Sequence, residues 1–430
     1  MQESIAAIAT ASGTGGVAII RISGENCLDI ANKIFTPKKN FKPNYMYAGN
    51  IEGDGFTDYG FLVYFKAPKS FTGEDVIELH CHGGVQLARG ILKKCLSLGA
   101  RLAERGEFTK RAFLNGKLTL ASAEGMADMI NAESLALLRA GSMLYGEKLS
   151  EEVVAIQNSL KDVLAEVAVE IDYPEEDEQG LDLKKIKTEI FALYGETERL
   201  LSSYKCGKKI KEGVTVALCG KPNTGKSSLL NALLGYEKAL VSAEEGTTRD
   251  AVEGVIEIDG VKYNLIDTAG IRERAGSVES MGIERAKKII KSADVVLSVS
   301  DGEENLPEET NGEVIKVFNK ADLRKPAGEY DIAVSAKTGE GMDRLKKLIA
   351  ERGFGDTALD KAYIVEERHY SALLKAAEAL KSACENLEIL TLDIIAVDLK
   401  DAWDALGEIT GETANEEIIS TVFAKFCVGK

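Results

Sequence analysis

Residues 220–227 have the composition and spacing of a loop that binds nucleotide phosphates. They read Gly-Lys-Pro-Asn-Thr-Gly-Lys-Ser, follow the apolar run 214–218 and precede the helix-like segment 228–234. Glycines let backbone N–H groups point at phosphate oxygens, the lysine adds a fixed positive charge, and the serine hydroxyl can bind Mg²⁺. A chance glycine-rich turn is the alternative, and the strand and helix patterns on either side disfavour it. The predicted phosphate contacts are Asn223, Thr224, Gly225, Lys226, Ser227 and Ser228.

A second motif, at 319–322, indicates which base is bound. Asn319-Lys320-Ala-Asp322 follows the apolar run 314–318. The Asp322 carboxylate can accept hydrogen bonds from N1–H and N2–H₂ of guanine, whereas adenine lacks this donor pair and would leave the carboxylate unpaired. Ser335, Ala336 and Lys337 follow another strand-like run, 330–334, and would bring further backbone N–H groups to the base. The pattern predicts GTP rather than ATP.

Asp267-Thr268-Ala269-Gly270 lies between these motifs, after the apolar run 263–266. At a strand end, the aspartate can reach Mg²⁺ through water, and the glycine N–H can meet the γ-phosphate. These spaced motifs together predict a GTPase domain.

Ile271 follows this motif and cannot orient the attacking water. The candidates for that role are Glu273, Glu279 and Glu284, and an ordinary surface charge is the alternative for each. The polar loop 242–250 contains Thr247 and Thr248, either of which could close over Mg²⁺ only when a γ-phosphate is present, as in a switch.

Three further motifs carry a family resemblance: Gly-Thr-Thr-Arg-Asp at 246–250, the apolar residue after the Asp267 motif, and Phe-Cys-Val-Gly-Lys at 426–430. Further stretches that share it are 5–10, 15–21, 72–78, 82–84 and 106–117. On these residues, the whole chain resembles the MnmE (TrmE) family of tRNA modification GTPases. The resemblance implies a homodimeric GTPase that acts with the flavoprotein MnmG (GidA), in a heterotetramer-type complex, to add a (carboxymethyl)aminomethyl group to C5 of the wobble uridine of certain tRNAs.

The resemblance also implies metal ligands and a catalytic group in the GTPase domain. It assigns Mg²⁺ to Ser227 and Thr248, and the orientation of water to Glu279. It assigns K⁺, which would neutralise charge developing between the β- and γ-phosphates, to Asn223, Ser242, Glu244 and Thr247.

The first 117 residues resemble folate-binding aminomethyltransferase domains, which implies a bound 5-formyl- or methylene-tetrahydrofolate. The implied contacts are Arg21, Glu78, Lys117 and Lys430. Their chemistry permits this, because a carboxylate can accept hydrogen bonds from a pterin edge and cations can meet the carboxylates or carbonyls of folate. Without the resemblance, each would be interpreted as an ordinary salt-bridge residue. Cys427 is a candidate catalytic thiol, and a small buried hydrophobe fits the same position.

Composition limits the class of protein. The chain has 430 residues, 45% of them hydrophobic, and no apolar run reaches the roughly eighteen residues of a membrane span. Its start lacks an export signal. Its seven cysteines are scattered, which is typical of a reducing compartment. Together these features predict a cytoplasmic location without a membrane partner. His80-Cys81-His82 suggests a metal site, but adjacent strand positions point to opposite faces, which favours packing.

The formal net charge of −16 conflicts with binding to tRNA, because contacts to phosphates supply much of such affinity. Lysines do cluster at 38–39, 205–211 and 287–291, and each cluster is interpreted as a solvated face rather than a track for nucleic acid.

The order of patterns predicts a multidomain α/β protein. Residues 1–117 form an α+β folate-binding-like and dimerisation domain, 118–211 the first part of an all-α helical domain, 212–352 a P-loop, Ras-like G domain, and 353–430 the rest of the helical domain. The G domain is thus inserted into the helical one. Two alternative functions remain: a ribosome-assembly or signalling switch without carbon transfer, and a free-standing aminomethyltransferase that leaves the G domain without a role.

Overall fold

The computed structural model describes residues 3–38, 40–173, 182–236, 254–268, 279–302, 307, 309–355 and 364–430. Glu279 begins a helix, of which residues 279–283 are described by their backbone alone. The predicted site residues that lie outside the described ranges are Ser242, Glu244, Thr247, Thr248, Ala269, Gly270 and Glu273.

The chain forms two compact units. Unit 1 consists of Met1–Ala127, Leu144–Leu193 and Glu378–Lys430, and unit 2 of Asp128–Met143 and Tyr194–Ala377. The domain bounds predicted from the sequence remain a prediction.

Unit 1 contains a mostly antiparallel sheet with the strand order β3-β4-β5-β6-β2-β1-β7. Alternating residues of its strands are buried. Ile20 and Ile22 on β2 and Ile77 and Leu79 on β6 pack in one core, so that the residues between them lie on the opposite face. The strands are β1 (Ile5–Ile8), β2 (Val17–Ser23), β3 (Phe35–Thr36), β4 (Met46–Glu52), β5 (Thr57–Phe65), β6 (Val76–His82) and β7 (Arg101–Leu102).

Helices cover the core face of this sheet and continue the chain beyond it. The first two supply Ile30, Ile34 and Ile91 to the core of the sheet. The helices up to the G domain are α1 (Cys27–Ile34), α2 (Val85–Ser97), α3 (Glu107–Leu114), α4 (Leu120–Ile130), α5 (Leu135–Tyr145), α6 (Lys148–Asp172), α7 (Leu183–Ser202) and α8 (Tyr204–Glu212).

Unit 2 contains a sheet with the strand order β13-β12-β11-β8-β10-β9. All its pairs are parallel except β9 with β10. Its central strands are almost continuous apolar runs, as expected for strands buried on both faces. The strands are β8 (Val214–Cys219), β9 (Gly254–Ile258), β10 (Val261–Asp267), β11 (Val295–Ser300), β12 (Glu313–Phe318) and β13 (Ile332–Ala333).

The helices of the second half of the chain follow in order. In the G-domain region, Leu229, Leu233, Leu345 and Ile349 all pack in one core cluster of the unit 2 sheet. These helices are α9 (Lys226–Tyr236), α10 (Glu279–Ser292), α11 (Met342–Gly353), α12 (Glu367–Asn386), α13 (Leu392–Thr410) and α14 (Glu416–Ala424).

The predicted fold class is confirmed: an α+β N-terminal part, helical segments and a doubly wound P-loop sheet are all present. Two local details differ. The predicted strand 330–334 shortens to β13, although the backbone N–H groups of Asp331 and Val334 still donate to the carbonyls of Lys316 and Phe318. The apolar face of α5 also enters the core of unit 2, where Ala136 N–H donates to the Gly260 carbonyl at 2.8 Å.

Candidate functional site

The phosphate loop lies between the end of β8 and the start of α9, as predicted. Gly225 has φ +88°, and a Cβ there would lie 2.4 Å from the amide of Asn319, so the position requires glycine. The buried Lys226 ammonium donates to the carbonyls of Gly220 at 3.1 Å and Lys221 at 2.7 Å. The loop thus brings its tight turn, its lysine and the N-terminus of α9 to one place, where phosphate binds in this type of fold.

Two oxygen ligands suited to Mg²⁺ meet beside this loop. The Ser227 hydroxyl donates to Oδ2 of Asp267 at 2.9 Å, which joins the first turn of α9 to the end of β10. The next residue, Thr268, is held by a hydrogen bond of 2.7 Å to the Leu218 carbonyl. Hydroxyl and carboxylate oxygens are the ligands that Mg²⁺ prefers, so these residues fit the ion.

The residues predicted to recognise the base surround the same loop from the ends of β12 and β13. The Asn319 amide donates to the Thr224 carbonyl at 3.0 Å and accepts from the Ala336 backbone N–H at 3.2 Å. The Ser335 hydroxyl donates to Oδ1 of Asp322 at 2.7 Å, which fixes that carboxylate at the exposed rim. Carboxylate, amide and backbone N–H groups therefore converge as guanine recognition requires.

Lys320 joins the base motif to the phosphate loop, and its partner was missed by the sequence reasoning. Its ammonium donates to the Asn223 carbonyl at 2.7 Å and to Asp301 at 2.7 Å. The hydrogen bond from Lys320 holds the pKa of the Asp301 carboxyl below its ordinary value, against the smaller opposing effect of burial. Asp301 directly follows β11, and a charged residue at the carboxyl end of a central parallel strand is the signal that could have identified it.

Four further predicted residues lie at exposed positions. Ser228 and Lys337 are exposed, at the start of α9 and in the base loop. Glu284 is exposed on α10, five positions after Glu279, whose role in orienting water remains a prediction. Asn223 is exposed in the phosphate loop with the left-handed φ of +64°.

A second cluster lies in unit 1, on the sheet face opposite the core. Arg21 on β2 is directly opposite Glu78 on β6, and its Nε and Nη2 lie 3.0 Å and 2.9 Å from Oε1 of that carboxylate. The guanidinium carbon is 5.7 Å from the ring centroids of both Phe71 and Phe108. His80 approaches Oε2 of Glu78 with its Nε2, at 3.2 Å. Two of the predicted folate contacts therefore form one ion pair flanked by aromatic rings.

The electrostatics of this pair keep Glu78 ionised. Burial raises the pKa of the Glu78 carboxyl, but the hydrogen bond from His80 and the charge of Arg21 outweigh it, so the pKa lies below its ordinary value.

The other two predicted folate contacts are tied to the neighbours of this pair. The Lys430 carbonyl accepts from the Phe108 backbone N–H at 3.2 Å, which places the end of the sequence next to α3. Lys117 donates from its ammonium to the Pro68 carbonyl at 3.1 Å, and its side chain lies beside Gly73 in the loop that also carries Phe71.

Cys427 is exposed, which does not fit the alternative of a buried hydrophobe at this position. Its carbonyl accepts from the Gly106 N–H at 3.4 Å. Gly106 has φ +68°, and a Cβ there would lie 2.5 Å from the Phe423 carbonyl, so only glycine permits this contact.

A histidine–carboxylate pair near the end of β6 was also missed. Nδ1 of His82 lies 2.7 Å from Oδ1 of Asp58, and the His82 backbone N–H donates to Oδ2 at 2.9 Å. Burial raises the pKa of the Asp58 carboxyl, but both hydrogen bonds from His82 outweigh this effect, and the net pKa is below its ordinary value.

Within the described ranges, no helix meets the length and hydropathy needed to cross a membrane.

Two of the lysines interpreted as a solvated face are instead engaged. The Lys209 ammonium donates to the Gly353 carbonyl at 2.6 Å, and Lys211 pairs with Asp128 at 2.9 Å and with Glu366. That interpretation of the 205–211 cluster is therefore wrong for these two residues, because their partners come from distant parts of the chain.

Comparisons with known proteins cover the whole chain. Residues 4–117 match the family described as GTP-binding protein TrmE N-terminus, and residues 120–427 match the MnmE helical domain. The chain is 39% identical over 456 residues to the tRNA modification GTPase MnmE of Natranaerobius thermophilus, and 40% identical over 449 residues to that of Aquifex aeolicus. Each match covers 100% of both proteins.

Among solved structures, the G domain of the T. maritima FeoB iron transporter is 30% identical, with a TM-score of 0.24 over 32% of this chain and 98% of that one. The fold of unit 2 follows from its own strand order. With the GTP-site geometry and full-length similarity together, the chain belongs to the MnmE family of tRNA modification GTPases and is a GTP-hydrolysing enzyme.

Proposed function

We propose that this chain acts in the cytoplasm as a homodimer with MnmG (GidA), in a heterotetramer-type complex, to add a (carboxymethyl)aminomethyl group to C5 of the wobble uridine of certain tRNAs. The G domains of the two protomers meet, and GTP hydrolysis then drives the modification cycle. The observation that carries the proposal is the coexistence, in one chain, of a complete GTP-site framework and the Arg21–Glu78 pair on the unit 1 sheet.

The unit 1 cluster supports a folate role because its chemistry matches that class of ligand. A pterin is planar and presents neighbouring N–H donors and a carbonyl, and the cluster offers an ionised carboxylate, a guanidinium, and the rings of Phe71 and Phe108. Glu78 would accept from the pterin edge, and Arg21, Lys117 and Lys430 would meet carbonyls or carboxylates. Bound 5-formyl- or methylene-tetrahydrofolate would supply the one-carbon unit. The exposed thiol of Cys427, close to Lys430 in the sequence, would be the catalytic group.

In the GTP site, Ser227 and Thr248 would hold Mg²⁺, with Asp267 beside Ser227. Asn223, Ser242, Glu244 and Thr247 would hold K⁺, and the exposed, left-handed Asn223 supports this because its amide stands at the phosphate loop. A cation at that position can neutralise charge in the transition state in the way that an arginine finger does. Glu279 would orient the water, since Ile271 cannot.

The test is to delete the gene and analyse the nucleosides of total tRNA by mass spectrometry. The aminomethyl-type derivatives of wobble uridine should disappear, and return when the wild-type gene is supplied. A variant with Glu78→Gln should fail to restore them. Unchanged wobble uridines after deletion would overturn the proposal and favour a ribosome-assembly or signalling switch, for which no carbon is transferred.

A further inference from the structure

Asp301 lies beside the GTP site without belonging to any of the motifs that predict it. It directly follows β11, the strand next to β8, and so lies at the same end of the sheet as the phosphate loop. Its Oδ2 accepts from the Lys320 ammonium at 2.7 Å, and the same ammonium donates to the Asn223 carbonyl at 2.7 Å. One cation therefore joins the segment after β11 to the phosphate loop.

The groups on either side of this ammonium have defined conformations. The Arg324 guanidinium donates to the backbone carbonyl of Asp301 at 3.1 Å, which helps to fix the segment after β11. Asn223 has φ +64°, which non-glycine residues seldom adopt. The hydrogen bond from Lys320 to the Asn223 carbonyl therefore stabilises a backbone conformation that is otherwise unfavourable.

We propose that Asp301 is a positioning residue of the GTP site. Its carboxylate orients the Lys320 ammonium towards the Asn223 carbonyl, and so keeps the phosphate loop in the conformation that binds guanine nucleotide and K⁺. The part that concerns K⁺ rests on the proposed role of Asn223 as a ligand of that ion.

The sign of the charge on Asp301 separates this role from a purely electrostatic one. A carboxylate near a bound triphosphate repels it, so electrostatics alone predicts tighter binding of GTP when Asp301 is made neutral. The positioning role predicts the opposite. Without Asp301, the Lys320 side chain regains rotamer freedom that it must lose again when nucleotide binds, and Asn223 loses a fixed donor.

The chemical step should be affected much less than nucleotide binding. Ser227 and Asp267, the residues that fit Mg²⁺, meet at the end of β10, which lies on the other side of β8 from β11. A change at Asp301 should therefore raise the KM for GTP and leave kcat nearly constant.

The experiment measures the affinity of the full chain for GDP and for a non-hydrolysable GTP analogue, in competition with fluorescent GDP. Asp301→Ala should weaken both about tenfold and raise the KM for GTP by a similar factor, since a hydrogen bond between charged groups is lost. Its kcat at saturating GTP should stay within about threefold of the wild type. Asp301→Asn keeps an oxygen acceptor for Lys320, so its affinities should stay within about threefold.

Potassium dependence is the second measurement. The KCl concentration that gives half of the maximal rate of hydrolysis should rise about fivefold in Asp301→Ala, because Asn223 is less well held. If hydrolysis by the wild type does not depend on K⁺, the proposed role of Asn223 fails, and the nucleotide affinities still decide the role of Asp301.

A double-mutant cycle shows whether Asp301 acts through Lys320. In a Lys320→Met background, Asp301→Ala should change the nucleotide affinities by less than about twofold. Glu313→Ala is the matched control, because it removes one carboxylate from the start of β12, at the opposite end of the same sheet, where Glu313 pairs with Arg352. This control should keep the affinities and the potassium dependence of the wild type.

Thermal unfolding followed by circular dichroism checks that each variant is folded, and Asp301→Ser replaces the alanine variant if that one is not. Unchanged or tighter nucleotide binding by Asp301→Ala would overturn the positioning role. An undiminished effect of Asp301→Ala in the Lys320→Met background would also overturn it, because the carboxylate would then act without the lysine.

Discussion

At the scale of single residues, both sites orient a carboxylate before any ligand binds. Ser335 holds Asp322, Ser227 holds Asp267, and Arg21 with His80 holds Glu78. Side chains that are already fixed lose less conformational freedom on binding, so more of the interaction energy is left for affinity and selectivity. These three carboxylates are therefore the residues at which conservative substitutions should be most informative.

Asp322→Asn tests the selection of guanine. The amide replaces one acceptor with a donor, which then faces a donor of guanine, and the affinity for GTP should fall about 100-fold. Xanthosine triphosphate carries a carbonyl in place of the guanine amino group, so the variant should prefer it. Competition of both nucleotides against a fluorescent GTP analogue measures this preference.

Ser335→Ala is the control for that substitution, because it removes the hydroxyl that orients Asp322 but keeps the carboxylate. It should keep the preference for GTP over xanthosine triphosphate, with an affinity lower by about fivefold. If Asp322→Asn bound GTP as the wild type does, this carboxylate would not read the base.

The sequence predicted the residues of the GTP site because their spacing relative to strands is local information. It did not identify Asp301 or the contact of His80 with Glu78. Asp301 meets Lys320 through strand order, which no local pattern encodes. His80 was considered only beside Cys81 and His82, as a metal motif, whereas the period of two along a strand already placed it on the face of Glu78.

At the scale of elements, Lys211 connects three segments of unit 2. It lies at the end of α8, and its ammonium pairs with Asp128 in α4 and with Glu366, which precedes α12. Both carboxylates are largely buried, with 11% and 7% of their side chains exposed. The lysine charge therefore offsets the repulsion and desolvation of two carboxylates that approach each other from distant positions in the chain.

Lys211→Met keeps the apolar stem of the side chain and removes its charge. We expect it to destabilise unit 2 by about 3 kcal/mol, because the charge that pairs with two largely buried carboxylates would be lost. Hydrogen exchange of peptides from β8 and β10, followed by mass spectrometry in increasing urea, measures the loss.

Lys291→Met is the matched control, since Lys291 pairs with Glu309 where both side chains are mostly exposed. This change should alter stability by less than about 0.5 kcal/mol. Equal effects of the two substitutions would show that the burial of Asp128 and Glu366 does not matter to the stability of unit 2.

Helices and strands followed the sequence patterns closely where the periodicity was long. The run that begins at Val153 predicts a helix stopping near Pro174, and α6 spans Lys148–Asp172. The pairing of α5 with the unit 2 sheet could not be predicted, because its apolar face does not specify which sheet will cover it. Burial partners separated by many residues are set by the topology rather than by any local pattern.

At the scale of the whole molecule, the terminal segment 426–430 packs against residues 105–108 in unit 1. The Arg105 guanidinium donates to the Phe426 carbonyl at 3.1 Å, and Arg105 and Val428 form a β-bridge. The Phe108 N–H donates to the Lys430 carbonyl, and the Phe108 ring lies beneath Arg21. From the sequence, only the family resemblance connected the terminal segment 426–430 to the residues proposed to bind folate, because nothing local links positions so far apart.

Removal of residues 427–430 should therefore separate the two functions of the chain. The described residues of the GTP site belong to unit 2, so basal GTP hydrolysis should stay within about twofold of the wild type. Affinity for 5-formyltetrahydrofolate, measured by calorimetry, should fall at least about tenfold, because the deletion removes the Lys430 charge and the backbone bonds that hold the Arg105–Phe108 turn.

Lys430→Ala is the control, because it keeps the backbone bonds and removes only the side-chain charge. Since the Lys430 carbonyl would remain bonded to Phe108, this variant should lose less affinity than the deletion and show the same protection from hydrogen exchange in α3 as the wild type. Wild-type folate affinity in the shortened chain would mean that the contacts between residues 427–430 and residues 105–108 support the fold of unit 1 without contributing to the site.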